Sequence, residues 1–289
     1  MHYSTTGRIK PNPAIHSFVA VRGICITAVA VFIIASCNTN TTPSATAVYP
    51  NDLVSDNNKG PVTEIATDTY LIDSTGKPGA IDEKFTVKYD SAGFVTSVIT
   101  TNSKDSVKTT DTYTHNASGL LTEQVITDGN NKKKSSLVIE YDSTGKPTIA
   151  KSYDSTGKID VYYTNIGLSK YGKFTGGTGY HPDSTLKLSF TNDFDSIHYI
   201  GGSSKDSTGK VTYSSSIQLD SNGNPQKMEE TSVTMDSTTK KDVTKKTITT
   251  YTYGALDSHG NWTEQTEHII SDDKTKVPHL YKRVITYKE

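Results

Sequence analysis

Residues 135–157 read SSLVIEYDSTGKPTIAKSYDSTG and contain two copies of one unit, an alternating strand followed by a turn. Leu137, Ile139 and Tyr141 stand two positions apart, so in an extended chain their side chains point to the same face. In the Asp-Ser-Thr-Gly that follows, Asp accepts hydrogen bonds from later backbone amides, and Gly supplies the positive φ that closes a bulged hairpin turn. This stretch therefore predicts antiparallel hairpins buried on one face.

The turn tetrapeptide Asp-Ser-x-Gly recurs along the chain. Its copies are Asp73 to Gly76, Asp90 to Gly93, Asp142 to Gly145, Asp154 to Gly157, Asp206 to Gly209, Asp220 to Gly223 and Asp257 to Gly260, with a relative at Asn116 to Gly119. The copies that start at positions 90, 116 and 142 are 26 residues apart, which is the length of two strands with their turns. No segment keeps a helical period of apolar residues.

The fold class that follows is all-β, a large antiparallel meander of hairpin repeats that forms a curled sheet or an open barrel. We expect about 12–16 strands, and a sheet of that size curls through its own twist. Hydrophobic residues make up 33% of the chain and Tyr occurs 17 times, which favours a thin core on one face of the sheet. The glycine-rich run 172–179 is interpreted as a flexible connection midway through the sheet.

The first 36 residues have the layout of an export signal. Basic residues precede an apolar run of about twelve residues, which as a helix would be too short for a membrane span. The run ends in Ile34-Ala35-Ser36-Cys37, which resembles the lipobox of bacterial lipoproteins. The resemblance implies cleavage before Cys37 and a lipid (diacylglycerol, palmitate) on its sulfur; an ordinary signal peptide and a single-pass anchor are the alternatives.

This resemblance gives three regions: a lipoprotein signal peptide at 1–36, a flexible lipid tether at 37–60, and the β-repeat domain at 61–289. The tether assignment rests on a polar composition punctuated by Pro. Because Asn rather than Asp follows the cysteine, the implied location is the cell envelope, at the outer membrane. A barrel integral to that membrane is the structural rival. It is disfavoured because the lipid already supplies an anchor and because Tyr287-Lys288-Glu289 lacks a terminal aromatic residue.

The repeat unit itself resembles a second family. Tyr89 to Gly93, Tyr141 to Gly145 and Tyr153 to Gly157 each read Tyr-Asp-x-x-Gly, which is similar to the YD repeats of RHS-type proteins. In that family each such core marks a β-hairpin. The resemblance implies a repeat architecture and no particular activity.

Charge and histidine placement argue against several functions. The chain has 30 Lys and Arg against 31 Asp and Glu, so it lacks the excess of positive charge that nucleic-acid-binding proteins carry. No pair of histidines has metal-ligand spacing, and each turn offers a single carboxylate where a calcium loop needs several. We therefore expect no metal and no cofactor.

The serine of the turn offers a possible modification site. Asp-Ser followed by a small or aliphatic residue resembles the acceptor motif of an envelope O-glycosylation system, although the same pair is good turn chemistry. The serines concerned are Ser74, Ser91, Ser106, Ser143, Ser155, Ser184, Ser196, Ser207 and Ser237. The copies at Ser184, Ser196 and Ser237 lack the glycine, so a turn requirement explains them less well.

The function these observations favour is a lipid-anchored, non-enzymatic β-repeat module that binds carbohydrate or another envelope protein. Its partners would be the membrane, through the N-terminal lipid, and that ligand. The alternative is a lipid-anchored glycan hydrolase, with paired carboxylates in a groove lined by Tyr162, Tyr163 and Trp262. Turn aspartates that converged in one buried pocket would favour the hydrolase.

Overall fold

The computed structural model describes residues 49–236, 238–239, 241–272 and 274–289. The predicted signal segment 1–36, the lipidation site Cys37 and the candidate glycosylation site Ser237 lie outside these ranges. Among the described residues, no helix has the length and apolar character needed to cross a membrane.

One short helix precedes a continuous series of strands in the described chain. Helix α1 spans Asp52–Ser55. The strands are β1 (Val62–Ile72), β2 (Pro78–Tyr89), β3 (Val95–Asn102), β4 (Val107–His115), β5 (Leu121–Asp128), β6 (Lys133–Tyr141), β7 (Pro147–Tyr153), β8 (Ile159–Leu168), β9 (Phe174–Tyr180), β10 (Leu186–Asp195), β11 (His198–Asp206), β12 (Val211–Leu219), β13 (Pro225–Met235), β14 (Asp242–Tyr253), β15 (Glu264–Ser271), β16 (Lys274–Thr275) and β17 (His279–Tyr287).

All the strands except the two-residue β16 form a closed barrel. Each strand from β1 to β14 pairs antiparallel with the next, and β15 pairs with β17. The ring closes where β17 pairs with β1, from Val62 opposite Tyr287 to Leu71 opposite His279. The predicted all-β antiparallel meander is confirmed, and the sheet is closed rather than merely curled. Closure lets β1 and β17 cover each other's edges, which would otherwise be free to pair with another chain.

Side chains alternate between the lumen and the outer wall. On β2, Phe85, Val87 and Tyr89 are buried, whereas Lys88 between them is exposed. Directly opposed residues share a face, so the inward side of every strand can be read from the register. Ile65 lies opposite Val87 on the inner face in this way. The barrel is therefore apolar inside along much of its wall.

The outer wall carries rows of Lys, Thr, Ser and Glu. Ion pairs join neighbouring outward residues, including Lys88 with Glu64 at 3.6 Å and Lys282 with Glu264 at 3.1 Å. Pairs of this kind contribute little stability individually. Their placement shows that the outer wall presents charged and hydroxyl groups, with exposed apolar residues such as Val284 among them.

The glycine-rich run interpreted as a connection is instead strand β9. A Cβ on Gly177 would lie 2.8 Å from Cε1 of Phe190, and one on Gly179 would lie 2.9 Å from Cε1 of Tyr163. The glycines leave room for two aromatic rings that pack over β9 from β8 and β10. The interpretation failed because a glycine in a strand also marks a place where another group approaches closely.

Candidate functional site

The turn motifs lie at the hairpin tips of the barrel. In the turn from Asp142 to Gly145, glycine has φ +81° and its N–H donates to the Asp142 carbonyl at 3.0 Å. Oδ1 of Asp142 accepts the Thr144 and Lys146 amides at 2.8 and 3.0 Å. The hydrogen bonds, led by that of the Thr144 hydroxyl, lower the pKa of Asp142. The carboxylate is thus occupied in holding its own turn.

The other copies of the motif have the same geometry. Their glycines, Gly76, Gly93, Gly157, Gly209, Gly223 and Gly260, all have φ between +81° and +85°. The aspartates Asp73, Asp90, Asp154, Asp206, Asp220 and Asp257 each accept backbone amides two and four residues on. Turns that follow even-numbered strands lie at one end of the barrel and turns that follow odd-numbered strands at the other. The turn aspartates are therefore spread over two rims and do not share a pocket.

The candidate glycosylation serines that the structure describes are all exposed. Ser184 and Ser196, which lack the glycine, themselves have φ +67° and +56°. Ser184 stands in the left-handed position that glycine occupies elsewhere, and Ser196 has its positive φ in the shorter turn between Asp195 and His198, so turn geometry accounts for both. Asp105 and Asn131 take the same position in two turns that the tetrapeptide search missed. Asx residues tolerate this conformation better than other side chains do, which is the signal that could have found them.

One end of the barrel is covered by residues 51–58, which we call the capping segment. Asn51 Nδ2 donates to the Ala92 carbonyl at 2.6 Å, in the turn after β2. Asn57 Nδ2 donates to the Asn222 carbonyl at 2.6 Å, in the turn after β12. Leu53, in helix α1 between them, packs in a core cluster with residues of β1, β2 and β3. Residues 49–60, assigned to the tether by composition, are thus packed across what we call the capped end.

The capping segment carries two buried carboxyl groups, Asp52 and Asp56, into the barrel, where they feel the charge of Lys173. Asp52 Oδ2 accepts the Val95 amide at 2.6 Å, and Lys173 Nζ donates to Ser55 Oγ at 2.7 Å. Burial raises the pKa of Asp52 to about 7 and lowers that of Lys173 to about 7. Burial, and next the repulsion of Asp52, also raises the pKa of Asp56. The segment is held by these hydrogen bonds as well as by apolar packing, and the Lys173 ammonium acts on both carboxyl groups.

The sequence carries a signal for the capped end in the residue that follows each turn. Phe94, Leu120, Lys173 and Asn261 directly follow the fourth residue of a turn at this end, and all are buried. The same position at the other end, the far end, is held by exposed lysines: Lys77, Lys132, Lys158 and Lys210. The residue after the turn therefore separates most turns of the two rims, and the exposed Lys146 at the capped end is an exception.

Polar residues face the lumen from two opposite walls of the barrel. We call Asp111, Tyr113 and Gln124 of β4–β5, with Tyr213, Ser215 and Glu230 of β12–β13, the polar belt. All six face inward by register and are half-buried, so they keep access to solvent inside the barrel. In a ring of this order, β4 and β12 lie on opposite walls.

Hydrogen bonds link the belt residues within each wall. Gln124 Nε2 donates to Asp111 Oδ2 and to the Tyr113 hydroxyl, both at 3.4 Å. On the facing wall, the Tyr213 hydroxyl donates to Glu230 Oε1 at 2.7 Å. Burial raises the pKa of Asp111 to about 6 and is also the main cause of the raised pKa of Glu230. Ionising these two carboxyl groups therefore costs more free energy inside the barrel than it does in water.

A more deeply buried polar cluster adjoins Glu230. Glu267 has no exposed surface, and its Oε2 accepts the Tyr281 hydroxyl at 2.7 Å and lies 3.3 Å from His279 Nδ1. Its other oxygen, Oε1, has no hydrogen-bond partner, and neither has the buried Thr249 Oγ1. Within the described ranges, no three His, Cys, Asp or Glu side chains are grouped to hold a metal ion.

The aromatic residues predicted to line a hydrolase groove do not come together. Tyr162 faces outward, with its ring 5.5 Å from that of Tyr180. Tyr163 is fully buried on the inner face of the same strand. Trp262 lies inside near the capped end, with the Arg283 guanidinium 3.5 Å from its ring centroid. Adjacent strand residues point to opposite faces, so Tyr162 and Tyr163 could not line one groove.

Comparisons with known proteins give no family for this chain. No family model matches it, and no curated protein does. Among solved structures, a porin-like protein from Bacteroides uniformis is 17% identical, over 83% of this chain and 99% of that one, with a TM-score of 0.48. A porin-like protein from Bacteroides vulgatus is 10% identical, over 78% and 98%, with a TM-score of 0.29. Similarities this low leave the barrel to rest on its own strand pairing and carry no argument about function.

Proposed function

We propose that this chain is an exported, lipid-anchored protein of the cell envelope whose barrel binds a carbohydrate in its lumen without catalysing its conversion. The observation that carries the proposal is the polar belt. Carboxylate, amide and phenol groups face one another across the inside of a closed barrel and keep access to solvent. Binding sites for small molecules combine aromatic surface with a few convergent polar groups in this way.

The outer wall supports the lipid as the means of attachment. Because many outward residues are Lys, Thr, Ser and Glu, with ion pairs such as Lys151 with Glu140 and exposed apolar residues such as Val284 scattered among them, we infer that the wall suits water rather than lipid tails. The capping segment follows the proposed lipid site closely in sequence. The residues between Cys37 and Tyr49, fully extended, reach at most about 40 Å. On this proposal the capped end stays near the membrane and the far end faces away from it.

The hydrolase alternative has less support from the described residues. Glu267 has no exposed surface and cannot meet a substrate as it stands. The accessible carboxyl groups of the belt, Asp111 and Glu230, lie on facing walls of a wide ring. A glycosidase instead needs two carboxyl groups about 5–9.5 Å apart on either side of one bond. We therefore favour binding over catalysis.

Oligosaccharide titration tests the proposal on the mature lipoprotein, purified in a polyoxyethylene detergent that carries no sugar head group. Gln124→Ala removes an inward amide that orients Asp111 and Tyr113, whereas Glu123→Ala changes the adjacent outward residue on the same strand. We expect calorimetry with a panel of oligosaccharides to give at least one ligand whose Kd rises about tenfold in Gln124→Ala, or ~1.4 kcal/mol. Glu123→Ala should leave that Kd unchanged. Absence of binding by the whole panel, or equal effects of both variants, would overturn the proposal.

A further inference from the structure

The capping segment is attached to the barrel mainly through polar contacts with turns. At its start, the Leu53 N–H donates to the Gly93 carbonyl at 3.2 Å, in the turn after β2. Near its end, Asn57 Nδ2 donates to Asn224 Oδ1 at 2.9 Å, just after the turn that follows β12. Leu53 is the one residue that the segment contributes to the core clusters of the described chain, and Val54 beside it is half exposed. Little apolar surface therefore holds the segment in place.

Three ionisable groups lose their water where the segment docks. Asp52 and Lys173 are almost fully buried. Oδ1 of Asp52 and Oδ2 of Asp56 are buried without a hydrogen-bond partner among the described residues. Lys173 acts on both carboxyl groups, and Arg283 acts on Asp56 as well. Burying charged groups costs free energy that their mutual attraction offsets only in part. Because these groups regain water when the segment leaves, their desolvation works against docking.

The connection from the segment to β1 is held more firmly than the segment itself. Asn261 binds Lys59 on both sides of its peptide unit: the Lys59 N–H donates to Oδ1 at 2.7 Å, and Nδ2 donates to the Lys59 carbonyl at 2.9 Å. Gly60 follows with φ +86°, and a Cβ there would lie 2.9 Å from Cδ2 of His259. A few residues at the end of an element commonly absorb the backbone rotation of a moving segment. Lys59 and Gly60 are placed to be such a hinge.

We infer that the capping segment is a lid, which opens about Lys59 and Gly60 while the barrel stays folded and which Lys173 latches shut. Regions with few buried apolar contacts open at a lower free energy than the whole molecule unfolds. An open lid uncovers inner side chains such as Val95 and gives the lumen a second entrance at the capped end. The inference goes beyond the proposed function and does not depend on the nature of the ligand.

Thiol labelling of two matched variants tests the opening. Val95 is buried in the core cluster that contains Leu53, whereas Val161 is buried on β8 in a separate cluster. The mature lipoprotein carrying Val95→Cys or Val161→Cys is exposed to a maleimide under native conditions, and mass spectrometry of its peptides locates the label. We expect the thiol of Val95→Cys to react at least about a hundredfold faster. Equal rates would overturn the inference, because the segment would then leave only when the barrel unfolds.

The latch is tested in the same two backgrounds. Lys173→Met leaves two buried carboxyl groups without their shared cation, so it should speed labelling of Val95→Cys about tenfold. Lys170→Met, at an exposed position of the same turn, should have no effect. Ser55→Ala removes the acceptor of the Lys173 ammonium and should speed labelling several-fold even if Lys173→Met folds poorly. Labelling of Val161→Cys should stay unchanged throughout. Equal effects of the two lysine substitutions, or none from Lys173→Met and Ser55→Ala, would overturn the assignment of the latch.

Discussion

Replacing Asp111 by Asn should stabilise this protein at neutral and alkaline pH, although it removes a polar-belt side chain. The Asp111 carboxyl group faces the lumen from β4 and, among the described residues, accepts a single long hydrogen bond, from Gln124 at 3.4 Å. Burial raises its pKa from 3.8 to about 6. Ionised Asp111 is therefore a source of instability that a neutral amide of the same shape does not have.

The size and pH window follow from linkage. An acid whose pKa is raised in the folded state favours folding while it is protonated, so this contribution is complete below about pH 4 and is lost as the pH rises to about 6. The shift from 3.8 to about 6 corresponds to at most ~3 kcal/mol. The Asp111→Asn variant avoids that loss, because its amide does not ionise. For a domain of this size, ~3 kcal/mol is a Tm difference of about 6–12 °C.

Thermal unfolding at two pH values measures the effect. Near pH 8, Asp111→Asn should melt above the wild type, and at about pH 3.5, where the carboxyl is protonated in both states, the two should melt together. Asp82→Asn, at an exposed position on β2, should change Tm little at either pH. A gain that is the same at both pH values, or an Asn variant that is less stable near pH 8, would refute desolvation of Asp111 as the cause.

Three further perturbations examine the turns, the cap and the anchor. Gly119→Ala should destabilise the protein by several kcal/mol more than Gly157→Ala, as measured by urea unfolding. Both glycines have φ near +80°, so the backbone strain is similar. An added Cβ would lie 2.3 Å from an aromatic carbon of Phe94 at position 119, whereas at position 157 it meets nothing within 4 Å. Leu53→Ala should cost about 2–4 kcal/mol by removing the buried side chain of the capping segment, whereas Val54→Ala, half exposed, should cost less than about 0.5 kcal/mol in the same assay. Cys37→Ser should abolish incorporation of radiolabelled palmitate and leave an uncleaved precursor, and labelling that persists would exclude Cys37 as the acceptor.

The fold class could be predicted from the sequence because the interactions that define strands and turns are between residues close together in the chain. Alternation such as Phe85, Val87 and Tyr89 assigns an inner face without any knowledge of the partner strands. Asp142 and Gly145 define a turn because the hydrogen bonds of that turn involve residues at most four positions apart. The same reasoning misjudged β9, since its glycines are required by the rings of Tyr163 and Phe190, which lie on other strands.

The sequence by itself determined the strands, their inner faces and most of the turns, because each depends on neighbours along the chain. Only the tertiary structure decided that β1 meets β17, that residues 51–58 cover one end, and that Lys173 lies among their carboxyl groups. It also decided that Glu230 and Glu267 face inward beside Thr249 while Glu229 faces out. These features depend on contacts between residues far apart in sequence, and a register shifted by one residue would exchange the two faces. The alternation of inward and outward residues is present in the sequence itself. The closed ring of strand pairs determines which inward residues become neighbours.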